Sequence, residues 1–143
     1  MILRKGTESD LKNVLEIEVM AYKNPYWSQN MIFEVLANKT DKRLWIYEVD
    51  NDVVGFIIDM RHKDEISLLN IVIHKCLQGM GHGLKMLKKY IKSLPEKCSI
   101  YLEVNKNNIK ALNMYTKLNF ERLSIRKSYY NDGGDAINMQ LVI

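Results

Sequence analysis

Six residues constrain this chain more than any others: Gln78-Gly79-Met80-Gly81-His82-Gly83. An apolar, strand-like run from Leu68 to Ile73 leads into them, and a helical pattern, Leu84-Lys85-Met86-Leu87-Lys88-Lys89-Tyr90-Ile91, leads out. Glycines at alternate positions let the backbone turn sharply and come close to a ligand. The helix that follows begins with unpaired N–H donors and the positive end of its dipole, which suits phosphate. The segment predicts a strand, a tight anion-binding turn and a helix, and with them a phosphorylated cofactor.

The rest of the chain fits a mixed α/β protein. Its 143 residues suffice for one domain with a real core, and 47% hydrophobic with 27% charged residues is a globular balance. Ile2 to Arg4 reads as a strand. Thr7-Glu8-Ser9-Asp10 resembles a capping box, and Leu11, Val14, Leu15, Ile17 and Glu18 to Tyr22 follow helical spacing. Asn24-Pro25 interrupts, and Ser28 caps a second helix with Met31, Ile32, Val35 and Leu36. Leu44 to Val49 and Val53 to Met60 form a hairpin about Asp50-Asn51-Asp52. Ile66 to Ile73 is a further strand, and the helix after the glycines runs to about Lys92. Ser99 to Asn105 is a strand; Asn107 or Asn108 caps a helix to about Leu118. Phe120 to Tyr129 and Ala136 to Val142 read as strands joined by Asn131-Asp132-Gly133-Gly134. The predicted order is β-α-α-β-β-β-α-β-α-β-β in a single domain, residues 1–143, with a mixed central sheet and flanking helices.

Charge and cysteine usage narrow the function. The net charge of +4 is scattered apart from Lys85, Lys88, Lys89 and Lys92. Those lysines are either a solvated helix face or a local attraction for phosphate. No nucleic-acid motif accompanies them, so nucleic acid is not expected as a partner. Two cysteines, Cys76 and Cys98, and three histidines show no metal-ligand spacing, and no metal is expected. No apolar run of about 18 residues occurs, and Met1-Ile2-Leu3-Arg4-Lys5 lacks the apolar stretch of a signal peptide. A cytoplasmic protein with no membrane partner is the expectation.

Two familiar phosphate loops fail on spacing. A dinucleotide fingerprint wants G-x-G-x-x-G, but here the third glycine arrives one residue early, at Gly83. Glu103 does lie near the distance of the ribose-binding acid. A P-loop needs Gly-Lys-Ser/Thr, which is absent from the chain.

The pattern Q/R-x-x-G-x-G/A, met by Gln78, Gly81 and Gly83, resembles the acetyl-CoA pyrophosphate loop of the GNAT acyltransferases. Leu102-Glu103-Val104, Asn108, Ala111, Leu112, Tyr115, Leu118 and Phe120 resemble that family's "LEV…N..A..LY..LGF" block. Trp27-Ser28, Leu69-Asn70-Ile71, Arg126, Tyr129-Tyr130, Asp135-Ala136 and Met139 are similar to the RimI-type branch, the ribosomal-protein-alanine N-acetyltransferases. The resemblance covers almost the whole chain, in order. It implies a GNAT fold with a mostly antiparallel sheet and acetyl-CoA as cofactor. Its loop would be held by Gln78, Gly79, Met80, Gly81, His82, Gly83 and Leu84, with Asn108 also in contact. The backbone N–H groups of Ile71, Val72 and Ile73 would line the acetyl and pantetheine arm. Two departures stand out: Met80 replaces a frequent basic residue, and Asn119 replaces the glycine of "LGF", a position whose left-handed backbone asparagine tolerates. The loop before Asp135 is also short and lacks a common acidic residue, which touches the substrate side more than the chemistry.

Acetyl transfer to an amine requires a neutral amine, a polarised carbonyl and protonation of the departing thiolate. Glu103 alternates with buried-type neighbours along its strand, which by itself fits an exposed, salt-bridged carboxylate. The resemblance implies instead that it accepts the amine's proton, through water. An α-amino group with a pKa near 8 demands less of such a base than a lysine near 10.4, which tilts toward an N-terminal amine. Tyr115 shares a helical face with Leu112 and Leu118, which fits plain core packing. The resemblance makes it the proton donor to the coenzyme A sulfur. No cysteine matches a motif position, so direct transfer is expected, without an acetyl-enzyme. Tyr22 to Trp27, Arg126, Tyr129 and Tyr130 could wall a peptide groove between the first helices and the final hairpin, or could be ordinary core and rim. The implied substrate is a protein or peptide N-terminus, such as that of a ribosomal protein. The alternatives are a GNAT enzyme of a small amine and a non-catalytic coenzyme-A-binding module. Retention of Glu103 and Tyr115 speaks against the last.

Overall fold

The computed structural model describes residues 1–22 and 25–143. The expected break at Asn24-Pro25 therefore falls partly outside the described residues. In chain order the elements are β1 (Ile2–Lys5), α1 (Leu11–Ala21), α2 (Gln29–Leu36), β2 (Lys42–Val49), β3 (Asp52–His62), β4 (Glu65–Ile73), α3 (His82–Ser93), β5 (Ser99–Asn105), α4 (Ile109–Lys117), β6 (Glu121–Arg126) and β7 (Ala136–Val142). Short 3-10 turns occur at Glu8–Asp10 and Lys75–Leu77. The strands form a seven-stranded sheet in the order β1-β2-β3-β4-β5-β7-β6. This is the expected element order, and the expected mostly antiparallel sheet: β1–β2, β2–β3, β5–β7 and β6–β7 pair antiparallel, and β4–β5 pairs parallel. No helix among the described residues is long and apolar enough to cross a membrane.

The chain divides into two compact units, Met1–Met60 with Asn70–Ser93, and Arg61–Leu69 with Leu94–Ile143. In the first, β1 and β2 pair antiparallel, as do β2 and β3. The β2–β3 hairpin turns on Asp50 and Asn51, both at positive φ, so the connection has the type I′ geometry that matches strand twist. Val14 and Ile17 of α1 and Ile32, Val35 and Leu36 of α2 bury their stripe against Ile46, Phe56 and Ile58 of the sheet. Each such side chain stabilises the fold by about 1.5–3 kcal/mol relative to exposure. In α3 the buried residues are Met86, Leu87 and Tyr90, while Lys85, Lys88 and Lys92 are exposed, so these lysines do form a solvated face.

Helix α1 is entered through Asp10, whose carboxylate accepts the Thr7 N–H at 2.8 Å and a forked pair of bonds from Arg4 at 2.8 Å each. The capping signal of Thr7 to Asp10 is thus present, with aspartate in the role usually taken by glutamate. The helix stops at Ala21, one residue short of expectation, because Tyr22 is already extended (φ −128°, ψ 134°).

In the second unit β5 lies parallel to the start of β4, with Glu65–Ser67 opposite Ser99–Tyr101. It lies antiparallel to β7 along its whole length. Ile100, Leu102 and Val104 are buried, while Glu103 points to the other face, as the alternation predicts. Asn108 caps α4 by accepting the Ala111 N–H at 3.2 Å. Asn119 closes that helix at φ 70°, the left-handed conformation expected of the residue standing in for glycine.

One boundary is corrected. The strand expected from Phe120 to Tyr129 runs only from Glu121 to Arg126. Ser128 takes φ 51°, and its N–H is captured by Asp135 at 2.9 Å, so the ladder with β7 cannot continue. Tyr129 and Tyr130 consequently stand on a loop.

Candidate active site

The first unit carries the cofactor-type elements. Strand β4 delivers Ile71, Val72 and Ile73 to the glycine loop, with Val72 and Ile73 buried and Ile71 partly so. Gln78 folds back, its amide nitrogen donating to the Ile73 carbonyl at 3.0 Å. This bond ties the loop to the end of β4. Gly79 and Gly81 sit at φ 82° and 84°, a region that side chains disfavour, and a Cβ on either would meet nothing within 4 Å. The turn therefore needs glycine for its backbone, and the space beside it is open. Helix α3 starts at His82, so the first-turn N–H groups of His82, Gly83 and Leu84 have no helical acceptor. The His82 ring packs edge-on to Tyr47, 6.2 Å between centroids, and its buried Nδ1 has no hydrogen-bond partner among the described residues. Met80 is exposed. A glycine-built turn at a helix N-terminus, open on one side, fits the pyrophosphate of a coenzyme A thioester.

Gly55 of β3 holds this strand close. A Cβ there would lie 2.6 Å from the Val72 carbonyl oxygen and 2.7 Å from Ile73, so only glycine allows β3 and β4 to meet as they do.

Trp27 is 9% exposed and packs into the core with Val14, Ile17 and Ile32. Its ring is part of the interior, and its backbone is what the loop between α1 and α2 presents. The backbone N–H groups of Tyr26 and Trp27 both donate to the Glu18 carboxylate.

The second unit carries the acid–base candidates. Glu103 faces out of β5 and makes one ion pair, to Arg126 of β6 at 3.4 Å. Arg126 lies over the Tyr129 ring at 5.4 Å, and Tyr129 meets Tyr130 edge-on at 5.1 Å. Tyr115 of α4 is buried and tilted against Phe120, 5.7 Å between centroids. Burial, with a further contribution from Tyr130, pushes the Tyr115 phenol well above its ordinary range. It therefore keeps its proton at neutral pH. Glu103, Arg126, Tyr129, Tyr130 and Tyr115 are thus drawn together from one strand, one hairpin and one helix. Asn108 belongs to the start of the same helix, where its oxygen is committed to the cap.

The hairpin loop bearing the two tyrosines is pinned by Asp132. Its carboxylate accepts from Gly134 N at 2.8 Å, from Asn105 at 3.1 Å and from Asn107 at 3.3 Å. These bonds, the Gly134 N–H foremost, hold the Asp132 carboxyl below the usual range. Neither Asp132 nor the Glu18 carboxylate stands out in the sequence as a site residue. For Glu18 the available signal was a carboxylate on the apolar stripe of α1, one turn beyond Val14.

Comparisons with known proteins agree with this geometry. The model of the Acetyltransferase (GNAT) family matches residues 11–120. The [ribosomal protein bS18]-alanine N-acetyltransferase of Haemophilus influenzae is 36% identical over 125 residues, covering 85% of this chain and 82% of that protein. An uncharacterised N-acetyltransferase of Methanocaldococcus jannaschii is 31% identical over 97% of this chain and 90% of its own. The crystal structure of the ribosomal-protein-S18-alanine N-acetyltransferase from Escherichia coli superposes with a TM-score of 0.86 at 28% identity, over 99% of this chain and 93% of that one. With the loop, the strand and the helix all in their places, this chain belongs to the GNAT acetyltransferase family and is an N-acetyltransferase.

Proposed function

We propose that the chain transfers an acetyl group from acetyl-CoA to the N-terminal α-amino group of a protein or peptide, a ribosomal protein being the leading candidate. The observation that carries this reading is the grouping of Glu103, Arg126, Tyr129, Tyr130 and Tyr115 in the second unit. The relatives that act on ribosomal protein alanine point to the same acceptor class.

Residues Gln78 to Leu84 would hold the phosphates, and the N–H groups of Ile71 to Ile73 would hold the acetyl arm. When bound, acetyl-CoA supplies an activated thioester carbonyl. Glu103 takes the proton of the incoming ammonium at a carboxylate oxygen, through one water. The Tyr115 hydroxyl retains its proton and delivers it to the departing sulfur. Arg126 and the two tyrosines line the acceptor side. Because no cysteine takes part, acetyl passes directly from donor to amine.

The test is acetyl-CoA turnover on a panel of short peptides differing in their first residues, with polyamines and aminoglycosides alongside. Peptide α-amines should react. Reaction with small amines alone overturns the assignment.

A further inference from the structure

Between Ile66 and Pro95 the chain has five lysines, Lys75, Lys85, Lys88, Lys89 and Lys92, and no acidic residue. The whole chain has 21 basic and 17 acidic residues, so the remainder holds 16 and 17. All of the net positive charge therefore lies on the segment that runs along β4, through the glycine loop and down α3. Lys75, Lys85, Lys88 and Lys92 are exposed, and none of the five enters an ion pair among the described residues. The loop itself, Gln78 to Leu84, has no lysine or arginine.

Helix stability argues against this arrangement. Lys85 and Lys89 stand four apart on α3, as do Lys88 and Lys92, and like charges at that spacing weaken a helix. Lys85 follows directly on the first turn, near the positive end of the helix dipole, where acidic residues are favoured; that turn has none. A face built only for solubility intersperses the two signs. The stripe is not part of the packing either, since the buried residues of α3 are Met86, Leu87 and Tyr90.

What charge of a single sign adds is reach. Coenzyme A carries a pyrophosphate and a phosphomonoester, together about −4 at neutral pH. Along the helix axis Lys85 and Lys88 lie within about 10 Å of the start of α3, and Lys92 about 15 Å from it. The nearer two are within about one Debye length at physiological ionic strength, so their field acts on an approaching anion before contact and fades as salt is added. The loop holds by backbone N–H groups at short range; the lysines attract from farther out.

We infer that the lysine stripe of α3 guides the coenzyme electrostatically: Lys85, Lys88 and Lys92 set how fast the anionic thioester reaches the glycine loop, and the loop sets how long it stays. The inference rests on the acetyl-CoA reading above. It gives these lysines no bond to the bound coenzyme and no part in the chemistry.

The test is stopped-flow association of a coenzyme A thioester bearing a fluorescent acyl group. It compares the full chain with a triple variant, Lys85→Gln, Lys88→Gln and Lys92→Gln, and with the matching triple arginine variant. At about 0.02 M ionic strength the glutamine variant should associate about tenfold more slowly, with dissociation changed less than about twofold. At about 0.5 M salt the two association rates should agree within about twofold. The arginine variant keeps the charge and should keep the original rate at both salt concentrations. The thioester of dephospho-coenzyme A, which lacks the phosphomonoester, should show a smaller gap between the original chain and the glutamine variant. Equal association rates at low salt overturn the inference. So does a deficit that persists at high salt, resides in dissociation or is shared by the arginine variant, because each marks the lysines as direct ligands. If the unsubstituted chain does not bind the thioester, the acetyl-CoA reading fails and the inference falls with it. Failure of guidance alone leaves that binding intact, which tells the two failures apart.

Discussion

Three carboxylates on this protein have opposite surroundings. Glu18 and Asp59 are fully buried, each among several hydrogen-bond donors. Asp59 takes the Arg43 fork at 2.9 and 2.8 Å, the Trp45 indole at 3.2 Å and the Tyr90 hydroxyl. Glu103 projects from the outer face of β5, with one ion pair at 3.4 Å and its side chain 32% exposed. A carboxylate enclosed by the donors of its own protein organises those neighbours and is out of reach of a ligand. One with free lone pairs at the surface of a strand is stabilised little by its surroundings and remains available for chemistry. The contrast separates residues that shape the protein from the residue proposed to react.

That contrast can be broken most directly at Asp59. Asp59→Ala removes the acceptor of the Arg43 fork, and urea unfolding should show a loss of about 3–5 kcal/mol. A loss below 1 kcal/mol would mean that burial and saturation are no guide to structural weight. Next comes the chemistry. Glu103→Gln and Tyr115→Phe should each lower kcat by about ten- to a thousand-fold while the unfolding midpoint of Glu103→Gln barely moves. Unchanged rates in both remove their assigned roles.

Asp10 supplies a smaller, pH-dependent effect. Its bonds to Arg4 hold the folded carboxyl below its ordinary value. The ionised form is therefore favoured by folding, and the resulting stability is complete above the ordinary carboxylate range. It is lost as pH falls through the lowered folded value. Asp10→Asn should flatten the acid limb of a stability–pH curve; an unaltered limb would show that the Arg4 contact contributes nothing. Last, Arg126→Ala should change stability by less than about 1 kcal/mol, because exposed pairs contribute little. A larger loss would place Glu103 with Asp59 as a structural carboxylate.

The element order was legible because each element is written locally. The alternation of β5, the stripe of α3 and the glycines at 79 and 81 need no distant partner to be read. The turn at Asp50-Asn51 and the left-handed Asn119 likewise follow from residue type. The pairs that shape the interior were not legible, because Asn70 lies 52 residues from Glu18 and Tyr90 lies 31 from Asp59. Nothing in a single sequence announces such a partnership. The end of β6 was overread for a related reason. Arg126 to Tyr130 looks extended, but Asp135, across the turn, takes the Ser128 N–H that the ladder would have used. Trp27 shows the same limit, since an aromatic beside a loop gives no sign of which way its ring turns.

The position of β7 bears on how the chain is made. It follows β6 in the sequence but lies between β5 and β6 in the sheet. During synthesis β5, α4 and β6 emerge first; β5 can pair with β4, but β6 has no neighbour in the sheet until β7 is made. The second unit closes only when residues 136–142 leave the ribosome and insert between strands already present. A nascent chain stalled before that point exposes the unpaired edges of β5 and β6, the kind of strand edge that invites pairing with another chain.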